Sequence, residues 1–284
     1  MLKLIRPIHL LLATLTYFFG VSIANYLGKP FLAGAFWLGL AGILLAQLSM
    51  SLLSEVFRLD VEPLLENETR RARQTLRNNL LYVSIMSLAM IAFIAFILYF
   101  NQALTLPSFL FLFISLILVL AYSIPPFRDR GFGEFILAAH LAYVIPSIAY
   151  NLQAGETHRF LTLTIPLIFL ALAYFIVMDF PSFAQDQKFR RVTFLTRLGW
   201  ERVVPLHHLF VLFGYILFFA SPALGLSLSL TWPVFLTFPF ALFQIYQLRN
   251  ISLGLPPNWT LLNATALSVF GLTTYFLTLT FWLR

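Results

Sequence analysis

The sequence predicts an all-α, polytopic membrane protein, with nine transmembrane helices in a single domain over residues 1–284. Three observations point there. Apolar residues make up 60% of the chain and charged residues only 10%, against roughly 25% charge in a soluble domain. The apolar residues gather into nine long runs, and lysine and arginine fall almost entirely on one side of them. A water-soluble globule is excluded.

The runs occupy about residues 8–27, 31–54, 78–100, 107–124, 134–153, 160–179, 203–222, 229–247 and 260–282. A bilayer core of roughly 30 Å takes about 20 residues of helix, so each run is long enough, or nearly so, to cross. Arg6 and Pro7 followed by a full-length span read as a retained first helix, since a cleaved leader would have a shorter apolar stretch and a small-residue cleavage site. The sixth run is the least regular, because Thr162, Thr164 and Pro166 precede its strongest stretch. Nine spans leave only about 100 residues for loops and tails, too few for a large soluble domain.

If the spans alternate, fifteen of the 18 basic residues share one side, and only Lys29, Arg159 and Arg284 lie on the other. The positive-inside rule then puts the N-terminus and the loops after spans two, four and six in the cytoplasm, and the C-terminus on the opposite side. Ten of the eleven acidic residues follow, Glu156 being the exception. The net charge of +7 is therefore a topology signal, and nucleic acid is not an expected partner. The absence of cysteine removes disulfides, thiolate metal sites and iron–sulfur clusters.

The polar chemistry concentrates in three cytoplasmic segments. At the end of the second span, Ser51, Ser54, Glu55, Arg58 and Glu62, with Asp60 beside them, recur at spacings of three and four, so they share one face if the helix continues. Carboxylates at a helix C-terminus favour a cation, whether Mg²⁺ or an arginine, and a plain Glu55–Arg58 ion pair is the alternative. After the sixth span Asp179, Ser182 and Asp186 stand at offsets of three and seven. Two carboxylates facing one cavity suit Mg²⁺, which commonly bridges to substrate phosphates. The alternative is a salt bridge from Asp179 to Arg190 or Arg191. After the fourth span, Tyr122 to Glu134 carries two prolines that stop the helix, two glycines that allow a tight re-entry, and Arg128 and Arg130, whose donor forks fit a phosphate. By composition alone it is equally an ordinary basic loop.

The histidines offer less. His140 lies inside the fifth span and His207 and His208 enter the seventh, with no His-x-x-His or Glu-x-x-His pairing to suggest a transition-metal site. His140 and Tyr143, about one turn apart, either line a cavity or pack polar groups between helices.

The Tyr122-Ser123-x-Pro125-Pro126-x-Arg128 run leading to Gly131-x-Gly133-Glu134 resembles the UbiA superfamily of intramembrane prenyltransferases, especially the branch that prenylates quinone precursors. So do Met178-Asp179-Phe180-Pro181 through Asp186, then Thr193 and Arg197-Leu198-Gly199. The resemblance spans essentially the whole chain. It implies a helical bundle with a lateral opening to lipid, two Mg²⁺ held by two aspartate-rich motifs, and an isoprenyl diphosphate bound through those metals and basic residues. The prenyl group is then passed to an aromatic or other lipophilic acceptor. Carried onto this chain, it implies Asp179, Asp186 and Glu55 as Mg²⁺ ligands and catalytic groups, and Arg58, Tyr122, Arg128, Arg130, Lys188 and Arg191 as substrate-binding residues.

The chain departs from that pattern at the metal motifs. Met178 replaces an Asn and Ser182 the middle Asp of the second motif, while Ser51-x-x-Ser54-Glu55-x-x-Arg58 stands where the family has Asn-x-x-Asn-Asp-x-x-Asp. Arg58 removes a ligand and adds positive charge beside the metal's place. Two readings follow: the arginine takes over one metal's role against diphosphate, or the bundle is a catalytically inactive subunit that binds a quinone, pigment or lipid in a larger membrane complex. A secondary transporter is disfavoured by the absence of an inverted repeat or paired broken spans.

Overall fold

A computed structural model describes residues 2–59, 62–65, 68–125 and 130–284. Among the described residues nine helices are long and apolar enough to cross a membrane: α1 Pro7–Tyr26, α2 Ala33–Val56, α3 Arg70–Phe100, α4 Leu106–Ser123, α5 Gly133–Ala154, α6 Arg159–Lys188, α7 Trp200–Phe219, α8 Leu228–Ser252 and α9 Trp259–Leu283. Each overlaps one of the nine apolar runs. The chain is an integral membrane protein, since in hydrocarbon every backbone polar group must be satisfied within the segment, which a helix achieves alone.

The layering follows from burial. In α5 and α6, 78% of the spanning residues are buried, against 22% in α3 and α4. The first pair therefore forms the centre and the second an outer wall. α1 packs against α5 and α9, α6 against α7, and α2 against α3 and α4. The outward faces of α3 and α4 carry Met86, Phe93, Tyr99 and Phe113, as a lipid-facing surface requires. An apolar groove of about 550 Å³ runs between these two helices and has no charged residue in its lining.

Close approach depends on small residues, because apolar helices gain little from leaving lipid for one another. A Cβ on Gly20 of α1 would stand 2.1 Å from the Pro146 carbonyl oxygen of α5. Hydroxyls tie neighbouring helices together: Tyr17 donates to the Phe36 carbonyl at 2.9 Å, and Tyr215, Thr237 and Thr273 link α7, α8 and α9 at 2.7 and 2.8 Å. His140 meets Ser115 at 2.8 Å, Tyr143 packs edge-on against Phe111, and His207 meets Gln244 at 2.9 Å. Of the two readings for His140 and Tyr143, the packing role is the one realised.

Three departures from straight helix matter for the site. α2 stops at Val56, where the Phe57 N–H closes onto the Leu53 carbonyl, so Arg58 and Glu62 leave the helical face instead of extending it. α6 tightens into a 3₁₀ turn at Phe180–Ser182, where Pro181 lacks an N–H, and resumes as helix to Lys188. α3 starts at Arg70, about two turns before the apolar run, because the Thr69 hydroxyl accepts from the Ala72 N–H and caps an arginine-rich first turn.

Candidate functional site

A cavity of about 1000 Å³ opens at the end of the bundle where α1 and α5 begin and α2, α4 and α6 end. One part is apolar, walled by Phe57, Leu137, Tyr174, Phe175 and Met178. The other part is densely charged.

The charged part is one continuous network. Glu55, in the last turn of α2, receives Arg58 at 2.6 Å (Nε to Oε2) and Arg6 at 3.1 Å (Nη2 to Oε1). Arg6 also donates to the Tyr122 hydroxyl at 2.6 Å. Arg58 reaches on to Glu62 at 3.2 Å, Glu62 pairs with Arg191, and Arg191 pairs with Asp186 at 3.0 Å. Asp186 accepts from Ser182 at 2.7 Å. The line Tyr122–Arg6–Glu55–Arg58–Glu62–Arg191–Asp186 thus stitches α1, α2, α4, α6 and two loops together. The side chains of Glu55, Glu62 and Asp186 are each only 2% exposed, so these carboxylates depend on their partners.

The arginines feel this setting. Burial alone would lower the Arg6 guanidinium, but Tyr122 and Glu55 hold it above its ordinary value. Burial and the neighbouring Arg58 and Arg6 guanidiniums pull Arg191 down to about 10 despite Glu55, which still leaves it charged at neutral pH. Three non-glycine residues among those described adopt left-handed backbone, Arg6, Gln102 and Arg190, and two of them line this cavity. Such conformations cost about 1–3 kcal/mol and tend to collect at functional sites.

A second acidic group shares the same lining. The 3₁₀ turn keeps Asp179, Ser182 and Asp186 on one side, and the Ser182 hydroxyl also reaches the Asp179 carbonyl at 3.1 Å. The Asp179 carboxyl shares the cavity lining with that of Glu134, in the first turn of α5. Glu134 Oε1 accepts from the Phe194 N–H at 2.9 Å, while Glu134 Oε2 and Asp179 Oδ2 are buried without a partner.

The residues singled out in the sequence divide accordingly. Arg58, Tyr122, Asp179, Asp186 and Arg191 line the cavity, and Glu55 borders it through Arg6 and Arg58. Both readings of Glu55 hold at once, an ion pair and a place at the cavity. The salt bridge to Arg191 comes from Asp186, while Asp179 keeps an unpartnered oxygen. Arg130 is exposed, with its carbonyl accepting from Arg197 at 2.9 Å, and Lys188 is exposed over the Phe189 ring. Neither is among the cavity's lining residues. Asp60, Pro126 and Arg128 lie outside the described residues. Two cavity residues carried no site signal in the sequence, Arg6 and His9, and Glu134 was visible only as the end of the Tyr122–Glu134 segment, not as a ligand. The arginine directly before the first span and the acid opening the fifth were visible, but each is a single residue without a periodic partner.

The fit to Mg²⁺ differs between the two sides. Both oxygens of Glu55 already face guanidinium nitrogens, and Glu62 has two arginine partners, so that side is not a cation site as it stands. On the Asp179 side, unpartnered carboxylate oxygens of the right hard type are available. Among the described residues no group of three or more Asp, Glu or His side chains forms a full protein cage. A cation there would draw its remaining ligands from water and substrate, the usual habit of Mg²⁺.

The overall arrangement is shared with solved structures. A UbiA homolog from Archaeoglobus fulgidus bound to Cd²⁺ superposes with a TM-score of 0.62 at 17% identity, covering 100% of this chain and 99% of that one. The same organism's homolog bound to GPP and Mg²⁺ gives 0.58 at 16%, again covering 100% and 99%. The apo homolog from Aeropyrum pernix K1 gives 0.55 at 13%, covering 92% and 96%. No curated protein sequence matches the chain. The model of the UbiA prenyltransferase family matches residues 13–262, from within α1 to the start of α9, and the chain belongs to that family.

Proposed function

We propose that the protein transfers an isoprenyl group from an isoprenyl diphosphate to an aromatic or other lipophilic acceptor. The observation that carries this reading is the cavity itself, in which three networked arginines and the carboxylates of Glu134 and Asp179 meet an apolar pocket at the end of a membrane bundle. Family membership supports it, as do related structures whose ligands are GPP or DMAPP with Mg²⁺.

In this reading Arg58, Arg191 and Arg6 bind the diphosphate oxygens, the charge-assisted contacts for which guanidinium geometry is suited. Phe57, Tyr174 and Phe175 hold the prenyl tail and keep water from the allylic carbon. The C1–O bond breaks with its electron pair leaving on the diphosphate, a new bond forms from C1 to the acceptor, and diphosphate and a proton are released. A divalent cation, when bound from the Asp179 side, supplies further positive charge to the leaving group. The basic-residue asymmetry puts this end of the bundle, with the N-terminus, on the cytoplasmic side and the C-terminus opposite.

The self-neutralised Glu55–Arg58–Glu62 stretch favours a second reading, a non-catalytic subunit that keeps the cavity for a quinone, pigment or lipid within a larger membrane complex. Turnover decides between them. Purified protein in lipid nanodiscs with Mg²⁺, isoprenyl diphosphates of increasing length and aromatic acceptors should release diphosphate and alkylated product. Arg58→Gln should slow release by about a hundredfold, the scale of removing one preorganised charge from a leaving group. Saturable quinone or pigment binding, with no turnover of any diphosphate, would establish the second reading instead.

A further inference from the structure

Resting on the transferase reading, we infer that the cavity uses a single divalent cation, held between Glu134 and Asp179, and that the Glu55–Glu62 side takes none because arginines occupy it. Three observations converge. First, the carboxylates of Glu55 and Glu62 are each contacted by two guanidiniums, so a cation could enter only by displacing an arginine or by sitting against several.

Second, Glu134 is 5% exposed, its Oε2 is buried without a partner, and it lines the same cavity as Asp179, whose Oδ2 is also unpartnered. Two carboxylates lining one cavity repel when both are ionised, and either a cation or a shared proton relieves that repulsion. Asp186 is already taken by Arg191 and Ser182, which leaves Glu134 as the partner of Asp179.

Third, the charges do not suit a diphosphate without help. Among the described residues, four guanidiniums in the lining (Arg6, Arg58, Arg190, Arg191) face five carboxylates in or bordering it (Glu55, Glu62, Glu134, Asp179, Asp186). Arg6, Arg58 and Arg191 are each paired with carboxylates, so added positive charge is needed, and Glu134 Oε2 and Asp179 Oδ2 are unpartnered oxygens that can hold it. Mg²⁺ commonly binds through one or two carboxylates plus substrate phosphates, which matches two carboxylates here and a diphosphate opposite.

Manganese titration followed by electron paramagnetic resonance, on the full chain in nanodiscs with geranyl S-thiolodiphosphate, reads the stoichiometry without turnover. One Mn²⁺ per chain is expected. Glu134→Gln, which keeps an oxygen for the Phe194 N–H, should weaken that Mn²⁺ by at least about tenfold, since even outer-sphere partners act on this scale. Arg58→Gln should weaken the analogue and leave one Mn²⁺ bound. Two Mn²⁺ per chain, or unchanged Mn²⁺ affinity in Glu134→Gln, overturns the inference and leaves the transferase reading standing. Analogue binding with no Mn²⁺ at all, the shared-proton case, does the same. Failure of the analogue to bind at any Mn²⁺ concentration overturns both.

Discussion

Arg58 and Glu55, three residues apart at the end of α2, meet through two contacts, Nε to Oε2 at 2.6 Å and Nη2 to Oε1 at 2.9 Å, with the Glu55 side chain 2% exposed. Breaking such a pair from one side leaves a buried charge uncompensated, and this costs about 3 kcal/mol. Arg58→Gln and Glu55→Gln should each lower the unfolding temperature in detergent. The double variant should lose less than the sum, with a coupling of about 1–3 kcal/mol. Additive losses would mean that the two side chains do not depend on each other.

Tyr122 enters the same network through Arg6, whose Nη1 donates to its hydroxyl at 2.6 Å. Tyr122→Phe removes the acceptor and leaves the ring. Hydrogen bonds involving charged groups contribute about 1.5–3 kcal/mol, so affinity for a prenyl diphosphate analogue should fall by at least about tenfold. Equal affinities, measured by calorimetry, would show that Arg6 needs no orienting partner.

The contact of α1 with α5 gives a test in the bundle core. Gly20→Ala would bring a Cβ to 2.1 Å from the Pro146 oxygen and 2.8 Å from the Ala149 Cβ, so the helices must separate, at a cost of about 1–3 kcal/mol. Gly34→Ala meets nothing within 4 Å and should be neutral or slightly stabilising. The comparison of the two melting temperatures checks the packing directly.

Glu68 anchors the segment before α3, accepting from the Leu64 N–H at 2.7 Å, the Leu65 N–H at 3.3 Å and Arg73 Nε at 2.6 Å. Burial would raise its carboxyl, but the Leu64 N–H, Arg73 and the Leu65 N–H together hold it below its ordinary value. A carboxyl depressed in the folded state stabilises above its unfolded value and loses that contribution as pH falls through the folded one. Glu68→Gln should therefore melt below wild type at pH 7, with the gap closing as the pH drops below about 4. A gap that persists in acid would contradict the anchoring role.

The nine spans were legible because membrane insertion depends on a linear property, the length of apolar sequence. The early start of α3 was not, since its capped, arginine-rich first turns carry no hydropathy. In the site, Asp179, Ser182 and Asp186 could be read from helical spacing, and the turn at Pro181 preserves their common side. Glu55 and Arg58 could be read as partners, though α2 ends before Arg58 and the chain turns to join Arg58 to Glu62. Arg6 and Glu134 reach the cavity because α1 and α5 begin at the same end of the bundle, and no local pattern encodes that for Arg6, while Glu134 could be read only as the close of a motif. Arg130 and Lys188 show the converse, since basic loop composition gives the side of the membrane but not the direction in which a side chain points.

The most direct measurement is an experimental structure of the protein with geranyl S-thiolodiphosphate and Mg²⁺ in lipid. Diphosphate density is expected within hydrogen-bond distance of Arg58 and Arg191, with one cation between it and the Glu134–Asp179 pair and the prenyl chain along Tyr174 and Phe175. Diphosphate bound elsewhere, or an intact Arg58–Glu62–Arg191 line with only an apolar ligand in the cavity, would contradict this.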